Sequence, residues 1–336
     1  MSGAGTVVVT GGGGYVGAVL VPKLLARGHR VRVLDLFLFG DDVLPTGTPA
    51  LECVKGDIRD RALVSQTMRS ADAVIHLACI SNDPSFELNP TLSRSINYEC
   101  FEPLVVAARD AGVRRFVYAS TSSVYGVSDA ADVTEEHPLV PLTDYNKYKG
   151  MCEPILLRYQ APDFTTVIIR PATVCGYSPR LRLDLTVNIL TNLAVNKRAI
   201  TIFGGSQKRP NIHIEDVTDL YVDLLSRPDE DIAGKIFNAA YQNRTVAELG
   251  EIVRSTVTRE MPQLGPIAVE TSPSNDLRSY HVSSDKIKRE LGWTPQRTIE
   301  DAVTDLCRAF RAGKIPDALS AARYYNVRTI QASGLV

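Results

Sequence analysis

The sequence predicts an α/β protein: a doubly wound parallel sheet with a smaller mixed α/β unit attached to it. Three observations point there. Short runs rich in branched residues alternate with helical stretches through the first half of the chain. Parallel strands need crossovers, and helices covering both faces of the sheet supply them. The first run, TVVVT, passes through a glycine-rich turn straight into a helix-like segment. After TTVIIRP the alternation loses its regularity, then returns in HIEDVTDLYVDLLSR and KIFNAA.

In chain order the elements are TVVVT, a helix from Tyr15 to Arg27, HRVRVLDL, LECVKGD, a helix from Arg61 to Met68, and DAVIHLA. A long helix from Thr91 to Ala111, the strand RRFVYAS, a helix from Tyr145 to Tyr159 and the strand TTVIIRP follow. Pro22 falls inside the first helix and should bend it, because it removes a backbone donor. The irregular region carries helices at Asp184 to Val195, Val246 to Thr256, Ser284 to Glu290 and Ile299 to Arg311, with short strands such as AITIF. The expected division is therefore 1–175 with 206–240 for the sheet, and 176–205 with 241–315 for the smaller unit. Residues 316–336 show no period and stay unassigned.

A chain of 336 residues that is 44% hydrophobic can bury a substantial core. Its formal charge of -1, from 37 basic and 38 acidic residues intermixed, leaves no broad electrostatic footprint for nucleic acid or for an anionic membrane. The six cysteines form no CxxC pair and no metal-ligand spacing with the five histidines, so reduced buried thiols and no metal site are expected. MSGAG has no basic, signal-like character, and no apolar run approaches membrane-spanning length. The expectation is cytoplasmic.

The segment VVVTGGGGYVGAVL sets Gly11, Gly14 and Gly17 in a GxxGxxG arrangement around Tyr15 and Val16. Glycines between a strand and a helix allow a tight turn and let backbone N–H groups approach a pyrophosphate at the helix N-terminus. The alternative is merely a flexible turn. A downstream acid favours the nucleotide reading: Asp35 ends the second strand, where a carboxylate accepts from ribose hydroxyls and repels a 2′-phosphate. No basic residue lies in the turn or directly after Asp35, so NAD is expected rather than NADP. Asp57 and Ile58 follow the third strand, where such folds hold adenine; a plain turn role for Asp57 is the alternative.

LTDYNKYKGM puts Tyr145 and Lys149 four apart on one helical face. An ammonium beside a phenol stabilises the phenolate and brings a group with a pKa of about 10 towards working pH. YASTSSVYG presents Thr121, Ser122 and Ser123 at the end of the fifth strand, where parallel sheets place ligands. A hydroxyl there can bond the substrate oxygen from which Tyr145 takes a proton, or it can cap a helix.

TGGGGYVG, HLAC, STSSVYG and YNKYK, in this order, resemble the extended short-chain dehydrogenase/reductase family over roughly residues 6–305. The resemblance implies a Rossmann fold with NAD, Tyr145 as general base, Lys149 tuning it and holding the nicotinamide ribose, and Thr121 as the catalytic hydroxyl. It adds Leu77 and Ala78 to the cofactor site and Ser81 to the substrate site, and makes Asn97 the family's structural asparagine. IRPATVCG, KRPNIHIEDV and SSDKIKRELGWTP are similar to the nucleotide-sugar branches. By that match Arg209 and Arg278 clamp the substrate diphosphate, Asn188 is a further candidate for it, and Thr173 faces the sugar. Guanidinium forks suit phosphate oxygens. A homodimer is implied, through the helices at Thr91–Ala111 and Tyr145–Tyr159.

The sequence also departs from its relatives. Pro210 stands where many carry Asp, Thr173 where many carry Asn, and Cys175 with Tyr177 where Tyr and Pro are usual. RPATVCGYSPRLRLD with NDLRSYHVS lies nearer a branch that includes GDP-heptose 4-dehydrogenases than to ordinary galactose epimerases. Dehydratase relatives carry an Asp-Glu pair at the positions of Ser122 and Ser123, and decarboxylase relatives a Glu at Ser123; hydroxyls cannot replace carboxylates in those steps. Two outcomes of oxidation at carbon 4 of a nucleotide-diphosphate sugar remain, 4-epimerisation and release of a 4-keto sugar by a 4-dehydrogenase, with epimerisation preferred. An NAD-binding scaffold without catalysis would be expected to lose Thr121, Tyr145 or Lys149. Cys175 is read as a buried structural thiol rather than a second acid or base.

Overall fold

The computed structural model describes residues 5–128, 130–273 and 279–335. Among the described residues twelve strands run in chain order: β1 Thr6–Thr10, β2 Arg30–Asp35, β3 Leu51–Lys55, β4 Ala73–His76, β5 Arg115–Ala119, β6 Thr165–Pro171, β7 Thr173–Cys175, β8 Ala199–Phe203, β9 Lys208–His213, β10 Lys235–Ala239, β11 Gln242–Thr245 and β12 Ala268–Ser272. Seven make a wholly parallel sheet in the order β10-β6-β5-β4-β1-β2-β3. The chain thus starts in the interior of the sheet and winds outward both ways from β1, which is the doubly wound topology.

Strand alternation decides which helices cover which face. Val7 and Val9 point to one side, where Ala18, Leu20 and Leu24 of the helix Gly17–Ala26 and Leu220 and Leu224 of the helix Ile214–Leu224 meet them. Val8 points to the other, against Val64, Met68, Phe101, Leu104, Cys152 and Leu156. All of these side chains are buried, and each large aliphatic one contributes about 1.5–3 kcal/mol. The first helix runs from Gly17 to Ala26 without interruption at Pro22.

A smaller sheet, β11-β9-β7, and a pair, β12-β8, stand beside the large one. Around them the helices Thr186–Lys197, Val246–Glu260 and Ile299–Arg311 enclose a separate core with Ile200 and Ile202. β7 and β9 pair with each other and, through β9, with β11, so Thr173–Cys175 and Lys208–His213 leave the large sheet.

The long helix expected from Thr91 to Ala111 is also interrupted. It forms Pro90–Arg94, a π-helical turn Ser95–Glu99, and Phe101–Asp110. Asn97 explains the turn: its side chain donates to the Ile80 carbonyl at 2.9 Å and accepts from the Ile80 N–H at 2.8 Å, while its own carbonyl takes the Cys152 thiol at 3.3 Å. The unassigned tail folds as a short 3-10 turn at Ala322–Tyr324 and a helix Asn326–Ala332, with Ile330 packed into the core on the Val8 side.

Candidate functional site

A cavity of about 510 Å³ opens where β1, β2, β4, β5 and β6 end, the edge at which such sheets hold ligands. At one end is the glycine turn. Gly11 has φ +75°, and a Cβ there would lie 2.6 Å from the Ala78 nitrogen; a Cβ on Gly17 would lie 2.4 Å from the Gly12 carbonyl. Neither position admits a side chain without moving backbone. The turn closes through Gly14 N–H to the Gly11 carbonyl at 3.1 Å, and Gly14, Tyr15, Val16 and Gly17 all line the cavity.

Asp35 faces the same end. Its carboxylate accepts from the Gly13 N–H at 2.9 Å and from the Phe37 N–H at 2.7 Å. Burial pushes the carboxyl up, and these bonds pull against it. Asp57 and Ile58 line the adjacent wall. The Asp57 carboxylate is bridged by the Arg59 guanidinium at 2.6 Å; partial burial raises it, but the bonds from Arg59 hold it below its ordinary range. Leu77 and Ala78, just past β4, form the floor.

At the other end the helix Asp144–Leu157 brings Tyr145 and Lys149 to the cavity, and Thr121 comes from the end of β5. Lys149 is buried, and its ammonium donates to the Ala119 carbonyl and lies 4.5 Å above the Tyr118 ring. The expected lowering of the Tyr145 phenol is not what this arrangement produces. Burial, and after it Cys79 and Asp83, push it well above its usual value, with only Arg182 opposing them among the leading influences. Thr121 caps the following 3-10 turn by accepting from the Ser123 N–H at 3.1 Å, and its side chain still lines the cavity. Ser123 meets the Tyr280 hydroxyl at 3.2 Å.

Ser81, Thr173 and Arg209 line the cavity too. Three expected residues do not. Ser122 is buried in the turn; Asn97 is spent on Ile80; and Asn188 is buried behind the wall, bonded to the Gly176 N–H at 3.0 Å, the Arg182 carbonyl at 2.9 Å and the Tyr15 hydroxyl at 3.1 Å. Asn188 therefore supports the wall instead of reaching a ligand in this arrangement. Arg278 lies outside the described residues. Cys175 is buried off the cavity against the Ile212 carbonyl, its thiol pushed up to about 12 by burial.

Several lining residues were not singled out in the sequence: Arg180, Arg182, Asp184, Tyr280 and Asn326. Arg182 pairs with Asp184 at 2.9 Å and donates to the Ser81 hydroxyl at 3.2 Å. Asn326, from the tail, donates to Ser81 Oγ at 2.9 Å and through its N–H to Asp184 at 3.1 Å. The only signal available was the charge alternation in RLRLD directly after β7; for Asn326 there was none. Among the described residues no cluster of His, Cys, Asp or Glu could hold a metal ion, and no helix is long and apolar enough to cross a membrane.

Residues 7–240 match the model of the NAD dependent epimerase/dehydratase family. The chain is 28% identical over 320 residues to a UDP-glucose 4-epimerase of Lactobacillus helveticus, covering 88% of this chain and 94% of that one. Its fold is similar to the dTDP-glucose 4,6-dehydratase of Streptomyces venezuelae solved with NAD bound, at TM-score 0.81 and 26% identity, covering 92% of this chain and 98% of that one. It is likewise similar to the UDP-glucose 4-epimerase of Thermus thermophilus in complex with NAD, at TM-score 0.78 and 25% identity, covering 91% and 99%.

Proposed function

The chain belongs to the NAD dependent epimerase/dehydratase family, and from that premise we propose that it is an NAD-dependent nucleotide-sugar 4-epimerase, oxidising carbon 4 of a nucleotide-diphosphate sugar and returning the hydride to the opposite face. The observation that carries the reading is a single cavity lined both by the glycine turn with Asp35 and by Thr121, Tyr145 and Lys149. Gly11, Gly14, Tyr15, Val16, Gly17, Asp35, Asp57, Ile58, Leu77 and Ala78 would hold the cofactor, which supplies the hydride acceptor when bound. Ser81, Thr121, Ser123, Thr173 and Arg209 would hold the substrate.

In this reading Tyr145 takes the proton of the sugar hydroxyl while Thr121 bonds the same oxygen and fixes its position. The phenol is raised by burial, so it needs a cation brought close before it can act as a base. In this reading Lys149, whose ammonium rests on the Ala119 carbonyl, would be that cation. The relatives' names make UDP-glucose the first substrate to test. A cytoplasmic homodimer through the surfaces of the helices around 90–110 and 144–157 goes with the reading.

The test is incubation with NAD and a panel of nucleotide sugars, following both product and cofactor absorbance. Formation of the 4-epimer without net cofactor reduction supports the proposal. A 4-keto sugar released with stoichiometric reduction makes the protein a 4-dehydrogenase. NAD binding without turnover of any nucleotide sugar would identify a scaffold.

A further inference from the structure

Arg180 follows β7, lines the same cavity as the glycine turn, and is 3% exposed. Its guanidinium stacks on Phe39 at 3.5 Å, four residues beyond Asp35. One nitrogen, Nη2, donates to Asn326 Oδ1, while Nε and Nη1 are buried without a hydrogen-bond partner among the described residues. A buried cation with two unmatched donors is costly, and proteins retain such a group where a ligand completes it. The surroundings add to that cost: burial, and next the charge of Arg182, pull this guanidinium down to about 9.

We propose that Arg180, oriented by Asn326 of the C-terminal tail, is the cation that receives the diphosphate of the dinucleotide cofactor. The proposal rests on the NAD reading and adds to it a residue that neither the glycine turn nor Asp35 supplies. The choice of anion follows from position. Arg180 stacks on Phe39, close after Asp35, and Ser178, two residues before it, donates to the Tyr15 carbonyl at 2.8 Å, which ties this segment to the glycine-turn end, whereas Arg182 pairs with Asp184 and donates to Ser81. An anion between the N–H groups of the turn and the Arg180 fork would satisfy donors on both sides and offset a charge that is otherwise balanced only in part. It also gives the tail a part in cofactor binding, because Asn326 holds the one bonded end of the guanidinium.

The experiment is calorimetric titration of the full chain with NAD, ADP and adenosine, and, with NAD saturating, with UDP-glucose. In Arg180→Met, affinity for NAD and ADP should fall about tenfold or more while adenosine, which has no phosphate, is unaffected. Arg180→Lys should recover part of the loss, and Asn326→Ala should show the same selectivity more weakly. Equal losses for ADP and adenosine, or no loss for either, would overturn the proposal. So would a loss confined to UDP-glucose, which would assign Arg180 to the sugar nucleotide. Should Arg180→Met not fold, the Arg180→Lys and Asn326→Ala titrations decide on the same criterion. If the unaltered chain binds no NAD, the cofactor reading itself fails, a result distinct from any of these.

Discussion

The two ends of the cavity are built differently. The cofactor end is made by one short stretch of chain, residues 11–17, with Asp35 and the floor from Leu77 and Ala78; its geometry is backbone geometry. The end proposed for catalysis and substrate is assembled from side chains at Ser81, Thr121, Tyr145, Arg182 and Tyr280, which come from five separate segments. The first can be disrupted by adding one methyl group. The second depends on a network in which each residue is held by others distant in sequence.

The sharpest division between the ends comes from Tyr145→Phe. It should lower hydride transfer about 10²–10⁴-fold, read in single-turnover cofactor absorbance, while NAD affinity stays near that of the unaltered chain. Comparable turnover in that variant would break both the comparison and the proposed chemistry. Gly11→Ala should do the reverse at the other end. The left-handed backbone alone costs about 1–3 kcal/mol, the contact with Ala78 adds to it, and NAD binding is expected to be lost with a fall in Tm. Retained NAD binding would mean that the turn is not the cradle.

Asp35→Ala should have a smaller effect, reducing the preference for NAD over NADP by about tenfold in paired titrations. Because the carboxylate also ties Gly13 to Phe37, some loss of stability should accompany it. Unchanged preference would displace the ribose contact from Asp35. Cys175→Ser should change turnover least, since the thiol faces Ile212 and not the cavity. A clear loss of turnover in a variant with unaltered Tm would bring Cys175 into the mechanism.

What could be read from the sequence follows the same division. Gly11, Gly14 and Gly17 announce themselves because a turn is local, and Tyr145 with Lys149 because helical spacing is local. The sheet strands were legible for the same reason, down to TTVIIRP and KIFNAA. The exchange of β7 and β9 into the smaller sheet was not, because short strands do not specify their partners. Asn188 is ambiguous for a related reason: an asparagine in a helix has no pattern that distinguishes a ligand contact from a bond to Gly176. Arg180, Arg182 and Asn326 could be recognised only once 180–184 and the tail were brought to one wall.

The route of the chain between the two sheets has a mechanical consequence. It crosses from β6 into β7, from β9 through the helix Ile214–Leu224 to β10, from β10 into β11, from β12 to the helix Asp285–Leu291 on the large-sheet core, and from there to Ile299–Arg311 in the smaller core, so at least five passages of the chain tie the halves together. Two lobes joined that way cannot swing apart as on a single hinge. The helix Asn326–Ala332 belongs to neither sheet, yet Asn326 and Ile330 from it line the cavity, so access can change there without moving either sheet. A protease cut before Asn326 should therefore alter how fast nucleotides enter and leave, while the two sheets remain laced together.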